Sequence, residues 1–326
     1  MKILGLLHDH IDGSRAMVEI LPELYKAEGM KVPFDTLGKW QEWFVNPQIN
    51  LVKKFGAVTS VLQTKDALHL AGYTYGKYRH GQGLKYVEGK FAPQYHTREL
   101  DLRAATAAMI AGLRDAEKDF GIVILPQVCI GREAEPDLGV EIAKVVLEYD
   151  GEVALDLACD EGSHPPEKHL PAYQLTFGSK VRRDCHAGEW VHKGKDLPWV
   201  YNQKLLKNVD TAVFHLKCHG VGHAIPLSQD KELTQYMVDN EIRVVGCPLS
   251  NLHSKLIDNL KSLEIDTLLE AGLRYTVSVD DDLLFPSVLE LEEACQSAYG
   301  FTDEQWVKMH KNLRASAFDP RARGVL

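Results

Sequence analysis

Four places in the chain combine imidazole and carboxylate groups at spacings that permit shared chemistry. His8 and His10 lie two apart, Glu189 closes the run His186-Ala187-Gly188-Glu189, His223 follows Gly222, and Asp280-Asp281-Asp282 is an acidic run. In an extended strand, residues two apart point to the same side, so His8 and His10 can approach one ion together. Two imidazoles from the first place, one from the second and one carboxylate from the acidic run make a nitrogen–oxygen set suited to zinc. A further coordination position stays open for water, which a divalent ion makes acidic enough to attack near neutral pH. Glu189, beside a ligand but not needed as one, is then free to move a proton. Neither H-E-x-x-H nor P-C-x-x-C occurs in the chain, so neither motif supplies the zinc chemistry.

For these groups to meet, the segments before them must be neighbouring strands ending on one side. Short apolar runs predict strands at Lys2–Leu7, Lys85–Phe91, Ile122–Cys129, Val153–Leu157, Val181–Cys185, Ala212–Cys218, Ile242–Cys247 and Arg274–Val279. Helical patterns separate many of them: Thr97–Glu117, Asp137–Tyr149, Asp230–Asn240 and Leu260–Ala271, the last stopped by Gly272. Repeated strand–helix–strand units predict a parallel sheet, and eight predict an α/β fold of the (β/α)8 TIM-barrel type. A doubly wound sheet would carry G-x-G-x-x-G after its first strand, and that motif is missing there. Residues 15–84 form a long helical insertion after strand 1, read as a lid or pocket wall whose aromatics double as core. The tail, 288–326, reads as C-terminal helices, one started by the capping box Thr302-Asp303-Glu304-Gln305. No repeat or low-complexity linker divides the chain, so 1–326 is expected to be one domain.

The 326 residues carry 37 basic and 46 acidic side chains, a net charge of −9, which argues against a nucleic-acid partner. No apolar run reaches the ~20 residues of a membrane span, and the amino end does not read as a signal peptide. The cysteines at 129, 159, 185, 218, 247 and 295 are widely spaced, as suits reduced, mostly buried thiols in a cytoplasmic enzyme.

In this order the chain contains H-D-H-I-D-G-S (8–14), L-V-K-K-F-G-A-V-T-S-V-L-Q-T (51–64), Y-V-E-G-K-F-A-P-Q (86–94) and D-L-A-C-D-E (156–161). There follow H-A-G-E (186–189), V-G-H-A (221–224), C-P-L-S-N (247–251) and D-D-D-L-L-F (280–285). With these motifs spread over nearly its whole length, the sequence resembles the adenosine deaminase family, a branch of the metal-dependent amidohydrolase barrels. The resemblance implies zinc held by His8, His10, His186 and Asp280. It also implies that Glu189 protonates the purine ring at N1, while His223 and Asp281 orient the attacking hydroxide and Asp281 faces the purine. Asp12 matches the position that binds ribose hydroxyls, and Leu51 and Phe55 belong to the segment forming an apolar wall over the nucleoside. His10 and Cys159 complete the implied substrate contacts. Two-metal relatives bridge their ions with a modified lysine at the end of strand 4. Here that end reads Asp156-Leu157-Ala158-Cys159-Asp160-Glu161, without lysine, so one ion per chain is expected.

Some departures bear on substrate. Cys159 replaces a glycine whose backbone N–H serves purine N3, and its side chain would crowd the ring. Gly220 and Ala224 replace the arginine and second glycine of the usual R-x-G-H-G, and Asp282 replaces a proline. The leading expectation is zinc-dependent hydrolytic deamination of adenosine or 2′-deoxyadenosine, giving the inosine product and ammonia. The alternative substrate is adenine, an N6-substituted adenine or another adenine-bearing metabolite. A catalytically idle binding module ranks lower, because every implied ligand and the acid are kept. Of the remaining polar groups, His215 is expected in a sheet or core, His219 as an accessory polar group near His223, and His164, His169 and His192 in solvated loops. Cys247 is read as structural and Cys159 as an inert thiol.

Overall fold

The computed structural model describes residues 3–326. Lys2, the first residue of the expected first strand, lies outside them. Eight short parallel strands form the centre. β1 (Gly5–His10), β2 (Tyr86–Phe91), β3 (Val123–Gly131) and β4 (Ala154–Ala158) pair in that order, as do β5 (His186–Ala187), β6 (Gly220–His223), β7 (Arg243–Gly246) and β8 (Tyr275–Val277). Single bridges from Leu155 to Arg183 and from Asp9 to Asp280 join the two sheets at both edges. The ring is thereby closed, and the fold is the expected (β/α)8 barrel.

The insertion after β1 folds as four helices, α1 (Met17–Ala27), α2 (Leu37–Val45), α3 (Leu51–Thr59) and α4 (Lys65–Gly81). Several of its aromatics are core: Trp40, Phe44 and Tyr75 are fully buried, and Trp40 packs its ring 5.5 Å from Tyr25 and 5.9 Å from Phe44. Between later strands run α5 (Leu102–Phe120), α6 (Pro136–Leu147), α7 (Leu170–Leu175), α8 (Pro198–Asp210), α9 (Lys231–Asp239), α10 (Pro248–His253) and α11 (Ile265–Glu270). The chain finishes with α12 (Val288–Tyr299) and α13 (Asp303–Ser316), and Thr302 and Gln305 form the expected capping box. No helix among the described residues is long and apolar enough to cross a membrane.

Some expectations need correction. The apolar run Ala212–Cys218 is not a strand; Thr211–His215 continues α8 as a π-helical turn, and His215 is exposed. The sixth strand is instead Gly220–His223, whose two glycines hid it from a search for apolar runs. The first strand is shifted toward the site, so that His8 and His10 belong to β1 itself. In the fifth, only His186–Ala187 pairs with β6, though Arg183 bridges to β4. The helix expected over Leu260–Ala271 breaks at Glu264, which adopts φ +47°, and Gly272 follows α11 at φ +92° as anticipated.

The interior of the barrel is charged. Arg243 donates to Glu88 Oε2 at 2.6 Å and to Asp184 Oδ2 at 2.9 Å. Lys90 Nζ stands 3.4 Å from Asp184 and 3.2 Å from Asp156. Asp156 in turn lies 3.0 Å from His186 Nδ1. This line of buried pairs runs from the floor of the barrel to its mouth. Removing one partner from such a pair costs about 3–5 kcal/mol, because the other charge is left buried and unmatched.

Candidate active site

The carboxyl ends of the strands bring most of the expected side chains to one place. His10 Nε2 is 3.1 Å from His186 Nε2 and 3.4 Å from Asp280 Oδ1, and His8 Nε2 is 3.2 Å from the same oxygen. Ligands held about 2.1 Å from a tetrahedral ion lie about 3.4 Å from one another. These separations are those of neighbouring ligands on one ion. His223 also falls in this cluster: His8, His186, His223 and Asp280 can each place a ligand atom within 4.8 Å of the others. His10, Asp280 and Asp281 do the same.

Electrostatics fit a cation here. Burial disfavours charge on His10, but the carboxylates of Asp281, Asp280 and Asp12 outweigh it and hold the ring at about 10. A proton on His10 and a divalent ion answer the same demand for positive charge. Burial also works against the charge on Asp280, yet His10 and His8 keep its carboxyl well below the usual range. Burial pushes Asp281 well up, and the neighbouring Asp280, Asp12 and Asp9 add to it. Glu189 is raised by burial too, with His223 opposing the shift.

Local backbone explains how these groups converge. A Cβ on Gly222 would lie 2.5 Å from His8 Cε1, so only glycine on β6 admits the His8 ring. A Cβ on Gly13 would stand 1.6 Å from Asp281 Oδ1, and this glycine makes room for that carboxylate. Cys159, His223, Ala224 and Asp280 have φ of 77°, 66°, 47° and 69°, where side chains other than glycine are uncommon. These unfavourable conformations sit where strands 4, 6 and 8 turn into the mouth, as expected if the site requires them.

Supporting residues were not assigned roles from the sequence. Asp156 Oδ2 stands 3.0 Å from His186 Nδ1, so the ring turns its other nitrogen to the cluster. Ser250 Oγ donates to Asp280 Oδ2 at 2.6 Å, and Asn251 Oδ1 lies 2.9 Å from His223 Nδ1. The other nitrogen of His223 is buried without a hydrogen-bond partner, 3.6 Å from Glu189 Oε2. Glu161 accepts the backbone N–H groups of Gly188, Glu189 and Trp190, which pins the Glu189 turn. Ser250 and Asn251 lie inside C-P-L-S-N, and Asp156 and Glu161 inside D-L-A-C-D-E, so the motifs did mark them.

Asp282 is a structural anchor. Arg79 donates to it at 2.7 and 3.0 Å and to Asp9 at 2.5 and 2.7 Å, tying α4 to the ends of β1 and β8. Asp12 is buried at the mouth, close enough to His10, His96 and Cys159 to act on their charges. Cys159 is exposed, and its Sγ is 3.3 Å from the Tyr95 hydroxyl, which also donates to Glu133. Leu51 and Phe55 stand on α3, Leu51 47 % exposed and Phe55 half-buried. Three histidine expectations change. His219 begins the approach to β6 at the opposite end from His223, with Nδ1 accepting the Arg183 amide at 3.1 Å. His169 is fully buried, 3.0 Å from the Arg132 carbonyl, and is not a solvated loop residue; His215, already noted, is exposed. His192 is exposed and Cys247 buried, as expected.

A closed parallel barrel whose strand ends gather imidazoles and aspartates around one point defines a metal-dependent amidohydrolase. More narrowly, the sequence profile named adenosine deaminase matches residues 4–324, and the chain belongs to that family. It is 24% identical over 282 residues to an adenosine deaminase of Clostridium acetobutylicum, covering 84% of this chain and 80% of that protein. It is 27% identical over 322 residues to an adenine deaminase of Hahella chejuensis, covering 96% and 90%. In structure it superposes on an adenine deaminase from Arthrobacter aurescens with a TM-score of 0.84 at 24% identity, covering 100% of this chain and 97% of the other.

Proposed function

We propose that this chain, acting as one catalytic domain, hydrolyses the 6-amino group of a purine to give the 6-oxo purine and ammonia. The observation that carries the reading is the pairing of Glu189 and His223, 3.6 Å apart, beside the His8–His10–His186–Asp280 donor set. That set fits one zinc ion, which when bound supplies a water acidic enough to attack near neutral pH. Glu189 hands a proton to ring N1, so negative charge does not build on the purine as oxygen adds to C6. His223, its far nitrogen held by Asn251, faces the incoming oxygen and takes its proton. Asp281, its carboxyl pushed well up by burial, faces the purine and with His223 orients the attacking oxygen. The proton taken by His223 passes to the 6-amino group, the C6–N bond breaks and ammonia departs, and the proton left on the C6 oxygen restores Glu189. Every donor is fixed before substrate arrives, which is how a site stabilises charge present only in the transition state.

The preferred substrate is adenosine or 2′-deoxyadenosine, with Asp12 toward the ribose and Leu51 and Phe55 over it. A second reading, free adenine or an N6-substituted adenine, draws support from Cys159, whose thiol and Tyr95 neighbour narrow the strand-4 side. The likeness to adenine deaminases supports it as well. The test is a purine panel, with ammonia release and ultraviolet absorbance followed and metal content measured on the same sample. Deamination of adenosine but not adenine supports the first reading, and the reverse supports the second. Protein with stoichiometric zinc that deaminates none of these purines contradicts both.

A further inference from the structure

The floor of the barrel, at the opposite end from the donor set, contains a cavity of about 470 Å³, within the size range of small-ligand pockets. Its wall comes from the starts of β6, β7 and β8, the π-helical turn after α8, and the chain just beyond α13. Charge here runs against that of the molecule, whose net is −9. Arg182, Lys217, Arg274 and Arg323 line the cavity, and the one lining carboxylate, Glu241, is already paired with Arg274. Arg182 and Lys217 are exposed, as is Arg323, and none of the three makes an ion pair among the described residues. Burial and then the guanidinium groups of Arg183, Arg182 and Arg243 lower the His219 ring to about 4.

Two buried polar atoms of the wall are unsatisfied. Arg243 is 1 % exposed and Ser316 6 %, yet Arg243 Nε and Ser316 Oγ have no hydrogen-bond partner. Both atoms are sealed from solvent, so the polar groups open to a ligand are those of Arg182, Lys217 and Arg323. The rim adds an exposed aromatic pair, its planes at 48°. Phe214 and Tyr236 are 41 % and 39 % exposed, with ring centroids 4.5 Å apart. Exposed aromatic faces beside guanidinium groups are the ordinary means of holding a base and its phosphates.

We propose that this cavity is a second ligand site for a nucleoside di- or triphosphate, with the phosphates on Arg182, Lys217 and Arg323 and the base against Phe214 and Tyr236. The reading is independent of the aminopurine chemistry at the mouth. Calorimetric titration of the full chain with guanosine diphosphate, which has no 6-amino group, and with pyrophosphate tests it. Guanosine diphosphate should bind more tightly than pyrophosphate, and both should weaken as salt is raised. Arg182→Ala with Arg323→Ala should weaken both at least 10-fold, while Tyr236→Ala should weaken only the nucleotide. Aminopurine turnover should be unchanged in these surface variants, which also reports that they fold. No binding at millimolar concentration, or binding that survives the double arginine change, overturns the site. Equal affinity for pyrophosphate and nucleotide overturns the role of the aromatic pair.

Discussion

The two halves of the barrel are built differently. Strands β1 to β4 run five to nine residues and pair in long registers, whereas β5 to β8 run two to four. Yet the short half carries His186, Glu189, His223, Asp280 and Asp281. A strand that stops early gives its next residues freedom to turn inward, and His223 and Asp280 do so at positive φ. The long half holds the ring and supplies supports such as Asp156. Rigidity and reach are thus divided between the halves, with the His8–His10 pair of β1 meeting the short half across the bridge from Asp9 to Asp280.

The largest expected effect breaks the short half at its proton donor. Glu189→Gln keeps the Glu161 contacts to the backbone of the turn, so the fold and metal binding should persist. Turnover should fall about 10²- to 10⁴-fold, the usual contribution of a positioned acid. Ammonia release and metal content on one preparation check this, and near-normal turnover would remove Glu189 from the mechanism.

The next effect tests whether the long half acts only through the short one. Asp156→Asn removes the carboxylate behind His186 while leaving Lys90 its contacts to Asp184 and Gln127. Metal affinity should drop about 10- to 100-fold, as for other partners of ligating histidines, and added zinc should restore much of the turnover. A loss of turnover that saturating zinc leaves untouched would instead place Asp156 in the chemistry itself.

The same division explains what was legible in the sequence. The long strand β3 shows in hydrophobic pattern, because burial on both faces selects apolar residues. The β6 strand does not, since Gly220 and Gly222 are chosen for space, the latter for the His8 ring. The neighbouring apolar run at 212–218 reads as strand in the sequence, because helix and strand cannot be separated by short apolar content alone. Chemistry shows in both halves, as short runs of imidazole and carboxylate at the strand ends. Arg79 and its two aspartates stayed hidden for a third reason. Asp9 and Asp282 are far apart in sequence, and only the closed ring brings them to one guanidinium.

The smallest effect sharpens the comparison where the halves meet in substrate choice. Cys159 follows β4, the last strand of the long half, at φ +77°, a conformation that costs a non-glycine residue about 1 kcal/mol. Cys159→Gly relieves that strain, so a melting curve should show equal or greater stability. It also removes the thiol from beside Tyr95 and opens the strand-4 side of the pocket. A side chain of that size, present or absent in a pocket, is worth about 10-fold or more in discrimination. The ratio of adenosine to adenine turnover should therefore rise by about that factor in the variant. An unchanged ratio with unchanged zinc would mean that the thiol stays clear of the substrate, and that selection rests on the Asp12 side.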